Sequence, residues 1–242
     1  AVQDDLIRKN PFNFLFSEVV LNDSVARQAI TKDQEKRFLH FLKHDPYYCR
    51  YYDAIYFLFK TGLRISEVCG LTVNDIDLEN NIINIERQLQ YRGKEKYWIE
   101  KVKTENGRRK IPVSDKNTGL IECMHRLIEN RKTPIKEPII DGISGFLFFG
   151  EKGRPLVGFQ WSKIFFYAVQ KFNSIYKEEL PNITPHICRH TYCTNMVKAG
   201  VGPKALQKLM GHSSIEITLD IYTHYNLEDV RRELLCLDFG EL

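Results

Sequence analysis

Apolar positions recur every three or four residues along most of this chain, the period of an α-helix that buries one face. Thr31 and Gln34 form a capping-box pattern at the start of the first such segment. Phe38 and Leu42 continue the apolar face, and Pro46 stops it. The pattern therefore predicts a helix that begins just after Thr31 and ends before Pro46.

The stretch from Tyr47 to Phe59 has too many aromatic and apolar positions for a surface helix, so we expect it to lie in the core. Its predicted end is Gly62, and a short helix is expected to begin near Arg64. Later helical patterns cover residues 117–132, 159–177, 185–199, 203–210, 214–223 and 227–236.

Between these helical segments the pattern changes to short runs rich in β-branched and aromatic residues. NIINIERQLQY begins at Asn81, YWIEKVK follows it, and Asn106-Gly107 separates that run from RRKIPV. An Asn-Gly pair between two extended runs is a strong hairpin signal, so the pattern predicts a three-stranded antiparallel sheet. Pro112 favours an edge position in it. The predicted fold class is α+β, mostly α with a small antiparallel β-sheet.

Composition is that of a globular protein, since 43% of the 242 residues are apolar and 12% are aromatic. The apolar runs are far shorter than the ~20 residues of a membrane span, and the first residues lack an apolar signal region. We therefore expect a soluble, intracellular protein. The six cysteines show no spacing typical of a disulfide framework, so we expect them to be reduced.

Positive charge is concentrated in one segment. The formal net charge is only +4, but residues 86–110 contain nine Lys and Arg against four Asp and Glu. Either this segment is a solvated hairpin or it contacts a polyanion such as a nucleic acid.

The stretch TPHICRHTYCT, residues 184–194, contains the most concentrated candidate chemistry. Thr184 is a good N-cap, so His186 falls in the first turn of a helix and Arg189 lies one turn later on the same face. Unpaired N–H groups, an imidazole and a guanidinium at this position suit a phosphate. Two alternatives remain for this stretch. His186 and His190 have a spacing that can bind zinc, although Cys188 points away from His186 on a helix. The histidines and cysteines of a partly buried helix can also simply pack.

Three further motifs contain residues that suit phosphate chemistry. In TGLRISEVCGL, Arg64 follows a glycine and Glu67 lies one turn later, where it can orient the guanidinium. In KVKTENGRRKIPV, Lys103 lies near the predicted hairpin tip. In LMGHSSIEITLDIYTHYNLED, His212 follows a glycine and Tyr222 comes ten residues later.

The order of these motifs, TGLR-x-SE, a lysine near a hairpin, H-x-x-RHT, and LMGH followed by Y-T-H, resembles the tyrosine recombinase (phage integrase) family. The resemblance covers about residues 31–236, and the last two motifs are most similar to integrases of conjugative transposons. It implies a catalytic domain at residues 31–226. Residues 1–30 are expected to be a linker from an upstream core-binding domain. Residues 227–242 are expected to be a C-terminal segment that docks on a neighbouring protomer, with packing against its own chain as the alternative.

The resemblance also implies a reaction, in which DNA strands are cut and rejoined through a 3′-phosphotyrosine intermediate during integration and excision of a mobile element. It implies no cofactor and no metal, because arginines supply the positive charge. Tyr225 is a rival to Tyr222 as nucleophile, and His190 is a rival to His186. The implied catalytic residues are Arg64, Lys103, His186, Arg189, His212 and Tyr222.

The implied partners are double-stranded DNA and further copies of the chain, as a dimer on each site and a tetramer in synapsis. A protein with such partners is expected in the cytoplasm, associated with the nucleoid, with no role for a membrane. Two alternatives are a type IB topoisomerase-like enzyme and a non-catalytic DNA-binding module. The side chains expected to contact DNA are Arg92, Lys94, Lys101, Arg108 and Arg109.

Overall fold

The computed structural model describes residues 29–93, 96–101, 107–131, 134–150, 152–177 and 179–222. Within these ranges, its helices are α1 (Lys32–His44), α2 (Tyr52–Thr61), α3 (Ile65–Cys69), α4 (Thr118–Glu129), α5 (Gly158–Tyr176), α6 (Pro185–Lys198), α7 (Pro203–Met210) and α8 (Glu216–Tyr222). Its strands are β1 (Ile76–Asp77), β2 (Ile82–Ile85), β3 (Arg87–Arg92), β4 (Lys96–Lys101) and β5 (Arg109–Pro112). The predicted α+β class is confirmed.

The helices follow the predicted pattern closely. Thr31 caps α1 by accepting from the backbone N–H of Gln34 at 3.1 Å, and the Gln34 side chain accepts from the Thr31 N–H at 2.9 Å. Helices α4 to α8 match the segments predicted for them, with ends that differ by about three residues or fewer. The predicted helix at 227–236 lies outside the described residues.

Helix α2 is in the core, as its aromatic sequence predicts. Phe57 and Leu58 are fully buried there, and α1 packs against α5 through Phe38 and Phe165. Gly62 ends α2 with a left-handed φ of 62°, and a Cβ at this position would approach Tyr192 to 2.4 Å. Only glycine therefore allows the chain to turn here directly against α6.

The strands pair differently from the prediction of one three-stranded sheet. The run from Asn81 divides at Glu86 into β2 and β3, which belong to two separate sheets. Among the described residues, strand β2 lies between β1 and β5, whereas β3 pairs only with β4 in the register Arg87↔Lys101 to Arg92↔Lys96. The expectation that YWIEKVK pairs with RRKIPV is therefore wrong. The edge position of Pro112 is confirmed, because β2 is the one partner of β5 within the described ranges.

A second, smaller apolar cluster lies apart from the main core and joins the last three helices. It consists of Tyr192, Cys193, Val197, Leu206 and Met210, with Ile221 and Tyr222 packed against it. Helix α8 is therefore attached to α6 and α7, which positions the end of the described chain beside them.

The five cysteines in the described part of the chain are free thiols, in line with the prediction of a reduced protein. None of the helices seen between residues 29 and 222 is both long enough and apolar enough to cross a bilayer.

Candidate active site

Arg64 lies at the turn between α2 and α3, where Glu67 orients it. Its Nη1 donates to Glu67 Oε1 at 2.9 Å, and its backbone N–H donates to Glu67 Oε2 at 2.9 Å. The predicted role of Glu67 is thereby confirmed. The side chain of Arg64 is 33% exposed, whereas that of Glu67 is fully buried. The buried carboxylate of Glu67 thus holds the guanidinium of Arg64 on its protein side, and the Arg64 side chain remains partly exposed to solvent.

Arg189 lies on α6 and is almost completely buried. Its Nη1 donates to the carbonyl of Gly62 at 2.8 Å, and its Nη2 donates to the carbonyl of Met210 at 2.7 Å. Burial lowers the pKa of Arg189 to about 10, with a contribution from the positive charge of Arg64. The guanidinium nevertheless stays charged at neutral pH.

The C-terminal end of α7 brings the two arginines together. The carbonyl of Met210 accepts from Arg64 Nη1 at 3.5 Å as well as from Arg189, and the carbonyl of Gly211 accepts from Arg64 Nη2 at 2.9 Å. The last carbonyls of a helix lack partners within it and form the negative end of its dipole. This end therefore holds two guanidinium groups side by side and presents His212 directly after them.

His212 is buried beside this pair of arginines. Burial, together with the charges of Arg189, Arg64 and Arg109, lowers the pKa of His212 to about 4. The imidazole is therefore neutral at physiological pH, so a single ring nitrogen carries a proton. Nδ1 lies 2.9 Å from the hydroxyl of Thr218, which is fully buried on α8.

Tyr222 ends the described part of α8, and its ring packs against the second apolar cluster. Its hydroxyl donates a hydrogen bond to the carbonyl of Val201, in the turn between α6 and α7. The rival tyrosine, Tyr225, lies outside the described residues.

His186 lies in the first turn of α6, as the capping pattern predicts, and is exposed. The Thr184 side chain accepts from the N–H of Ile187 at 3.2 Å, and Pro185 is the first helical residue. Cys188 is fully buried, so it lies on a different face of α6 from His186. This arrangement disfavours a metal site shared by His186 and Cys188, and the phosphate-facing role of His186 stays a prediction.

The basic segment divides into exposed and buried side chains. Arg92 and Lys101 are exposed at opposite ends of the β3–β4 hairpin. The side chain of Arg108 is 73% exposed and pairs with Glu86 at 2.9 Å. These three positions suit the predicted contact with DNA, whereas Lys94 lies outside the described ranges.

Arg109 does not fit the DNA contact predicted for it. Its side chain is only 2% exposed, and it makes two hydrogen bonds to the carboxylate of Glu67, at 3.0 and 2.9 Å. Strand β5 turns Arg109 inward and leaves its neighbours Arg108 and Lys110 outward, since alternate residues face opposite sides of a strand. A guanidinium enclosed in this way cannot reach a phosphate.

The structure therefore gathers Arg64, Arg189 and His212 into one cluster, and Tyr222 lies on the helix that follows. Lys103 lies outside the described residues, so its role stays a prediction. Sequence reasoning missed Thr218, because a threonine six residues after a histidine carries no distinctive signal. It also missed the acceptor carbonyls of α7, because any residue supplies a carbonyl.

The helices and small sheets, with this cluster at the end of α7, form the catalytic-domain fold of tyrosine recombinases. The chain belongs to the phage integrase family, which it matches over residues 28–229. It is 42% identical over 234 residues to the transposase from transposon Tn916 of Enterococcus faecalis. That match covers 97% of this chain and 57% of the transposase, so the chain spans little more than half the length of this relative.

This chain is also similar to solved structures of recombinases. The Tn1549 transposon integrase in complex with transposon right end DNA is 43% identical, with a TM-score of 0.87 over 98% of this chain and 74% of that one. The XerA recombinase has a TM-score of 0.61 over 85% of this chain and 63% of its own, at 22% identity, which shows the shared fold.

Proposed function

We propose that this chain is the catalytic domain of a site-specific DNA recombinase that integrates and excises a mobile element. Membership of the phage integrase family supports this proposal, as does the similarity to a transposon integrase solved with transposon end DNA. The observation that carries it is the convergence of Arg64 and Arg189 on the carbonyl of Met210, directly before His212. Two guanidinium groups held this close together suit the non-bridging oxygens of one phosphate.

In the proposed reaction the hydroxyl oxygen of Tyr222 attacks the scissile phosphorus as the bond to the 5′-oxygen breaks. The products are a 3′-phosphotyrosine and a strand that ends in a 5′-hydroxyl. The covalent bond conserves the energy of the phosphodiester, so a 5′-hydroxyl from another strand can reverse the step and complete rejoining. Negative charge grows on the non-bridging oxygens in the transition state, where Arg64 and Arg189 stabilise it.

Two protons must move during this exchange. His186, which is exposed in the first turn of α6, is proposed to take the proton of Tyr222, and Lys103 to protonate the leaving 5′-oxygen. His212 is proposed to donate a hydrogen bond to a non-bridging oxygen as a neutral imidazole. Before attack, the hydroxyl of Tyr222 must leave the carbonyl of Val201, because that hydrogen bond holds the proton that has to be removed.

Formation of a covalent adduct tests this proposal. The whole chain is incubated with nicked DNA duplexes that have a random central sequence. The products are then separated by denaturing electrophoresis. Cleavage close to a nick releases a short strand, so rejoining stops and the adduct accumulates. We expect an adduct with the parent chain and with Tyr225→Phe, and none with Tyr222→Phe, while all three bind DNA.

Each alternative has its own outcome in this experiment. No adduct with the parent chain would support a non-catalytic DNA-binding module. An adduct that persists in Tyr222→Phe, or is lost in Tyr225→Phe instead, would overturn the choice of nucleophile. Sequencing of the trapped strands identifies the target site. Two duplexes carrying that site then separate a recombinase from a topoisomerase-like enzyme, since only the recombinase exchanges strands between them.

We propose that the substrate is double-stranded DNA in the cytoplasm, and that four copies of the chain assemble on it in synapsis. The C-terminal segment predicted to dock between protomers lies outside the described residues. A chain that ends at Asn226 is expected to bind a single site and to lose cooperative binding to a two-site duplex in a gel-shift titration. Unchanged cooperativity would argue against docking between protomers.

A further inference from the structure

Arg109 is buried at the start of β5 with its hydrogen-bonding capacity directed at the protein. Its Nη1 and Nη2 donate to the two oxygens of Glu67, at 3.0 and 2.9 Å, and its Nε donates to the carbonyl of Leu209 at 2.7 Å. Nη1 also lies 3.1 Å from the carbonyl of Gly107. A bidentate guanidinium–carboxylate pair is rigid as well as strong.

Glu67 is shared between two arginines. Its carboxylate accepts two hydrogen bonds from Arg109 and two from Arg64, one of them from the Arg64 backbone. Burial raises the pKa of Glu67, but the hydrogen bonds and charges of Arg109 and Arg64 outweigh it and hold the pKa below its ordinary value. Glu67 is therefore a buried anion, and Arg109 supplies the counter-charge that lets Arg64 remain partly exposed.

The same guanidinium also ties the end of α7. Consecutive carbonyls of Leu209, Met210 and Gly211 accept from Arg109, Arg189 and Arg64 respectively. Arg109 thus contacts both the carboxylate that orients Arg64 and the helix end that joins Arg64 to Arg189. Its loss would release both contacts at once.

We propose that Arg109 is a positioning residue for DNA cleavage, which acts through Glu67 and the end of α7 to hold Arg64 toward the scissile phosphate. This inference rests on the proposed function. Without Arg109, Arg64 becomes the counter-ion of Glu67 within this carboxylate–arginine network and is drawn away from the phosphate. Arg109 itself touches no substrate, because its side chain is enclosed.

The test compares Arg109→Met, Arg64→Ala and Lys110→Met in single-turnover cleavage at saturating DNA. Lys110 is the matched control, since it is the next residue of β5 and is exposed. Each variant receives two substrates, one with an ordinary scissile phosphodiester and one with a methylphosphonate. The methylphosphonate replaces a charged oxygen with a neutral methyl group, so a misplaced guanidinium matters less there.

We expect Arg109→Met to cleave the ordinary substrate about 10- to 100-fold more slowly, the cost of a displaced catalytic group. Its dissociation constant for DNA should stay within about twofold of the parent value, because Arg109 makes no phosphate contact. On the methylphosphonate the deficit should shrink in parallel with that of Arg64→Ala. Lys110→Met should cleave both substrates as the parent does.

Equal losses of Arg109→Met on both substrates would overturn the inference and indicate a purely structural role, and so would unchanged cleavage. If Arg109→Met does not fold, as judged by its melting curve, Arg109→Lys takes its place. Arg109→Lys keeps the positive charge but loses the bidentate geometry. Its cleavage deficit must also shrink on the methylphosphonate, as that of Arg64→Ala does, or the inference is overturned. Failure of the proposed function gives a different result, since the parent chain would then form no adduct on either substrate.

Discussion

At the scale of single residues, Arg64 and Arg189 differ in how the protein holds them. Arg189 is buried, and its Nη1 and Nη2 bind the carbonyls of Gly62 and Met210. Arg64 is one-third exposed, and its guanidinium donates to Glu67 and to the carbonyl of Gly211, each at 2.9 Å. Arg189 is therefore the more enclosed of the two, and under the proposed function we expect Arg64 to adjust to a bound phosphate.

Lys103 as general acid gives a prediction that separates proton transfer from charge stabilisation. Lys103→Ala should slow cleavage of ordinary DNA by about 10²- to 10⁴-fold, the usual contribution of a positioned proton donor. A substrate with sulfur in place of the bridging 5′-oxygen releases a thiolate, which needs no proton. Single-turnover cleavage of that substrate by Lys103→Ala should approach the parent rate.

Arg64→Ala is the control for this comparison. It should stay impaired on the sulfur substrate, because the non-bridging oxygens are unchanged. If Lys103→Ala is equally slow on both substrates, Lys103 acts as a phosphate clamp, and His186 becomes the next candidate for the acid.

His212 predicts a pH dependence of stability. Its pKa is lowered to about 4 in the folded chain, against an ordinary value of 6.5. The unfolded chain therefore binds the proton first, and stability is lost as the pH falls from about 6.5 toward 4. Denaturant melts measure the free energy of unfolding at each pH. In this window it should fall more steeply for the parent than for His212→Gln, by up to about 1 kcal/mol per pH unit. Identical slopes would mean that His212 is not buried beside the arginines.

At the scale of elements, the end of α7 organises the site. Its carbonyls hold the guanidinium groups, and Gly211 turns the chain with a left-handed φ of 64°, so that His212 follows at once. Helix α8 then returns along α6 and α7 through the second apolar cluster. The hydrogen bond between His212 and Thr218 links these two elements.

Thr218 is predicted to set the tautomer of His212. For a neutral His212 to donate from Nε2 to a phosphate oxygen, Nδ1 must accept from the hydroxyl of Thr218. Thr218→Val keeps the shape but removes that hydroxyl, so cleavage should slow by about 3- to 10-fold, equivalent to one hydrogen bond. Single-turnover rates provide the measurement. Thr218→Ser should cleave nearly as the parent does, and a Val variant at the parent rate would refute the assignment.

At the scale of the whole molecule, the basic segment, residues 86–110, exposes fewer of its basic side chains than its composition suggests. Arg87 pairs with Asp75, and Arg109 is enclosed with Glu67. Arg92, Lys101 and Arg108 remain exposed. DNA binding by this chain is therefore expected to use a modest number of phosphate contacts.

The salt dependence of DNA affinity checks this expectation. Each phosphate contact contributes a slope of about −0.9 to the plot of log affinity against log salt. We expect weak binding that falls between about 50 and 200 mM salt, and a slope that decreases by about 1 in Arg92→Gln. Arg109→Met should leave the slope unchanged. Affinity that does not vary with salt would contradict the electrostatic interpretation.

Local sequence patterns were enough to predict most of the helices and the order of the chemical motifs. The start of α1 at Thr31, the bend at Gly62 and the cap of α6 at Thr184 depend on residues within one turn of each other, so a local pattern contains the information. The pairing of Arg64 with Glu67 is equally local, at three residues apart. For the same reason these predictions are confirmed almost to the residue.

The orientation of the basic side chains and the pairing of the strands depend instead on contacts between residues that are distant in sequence. Arg109 meets Glu67 across 42 residues and Leu209 across 100, and Arg64 meets Gly211 across 147. A basic residue in a basic segment therefore has the same local pattern whether it binds DNA or a buried carboxylate. The change of sheet at Glu86 is equally hidden, because β2 and β3 form one continuous extended pattern and their partners are chosen by packing with distant elements.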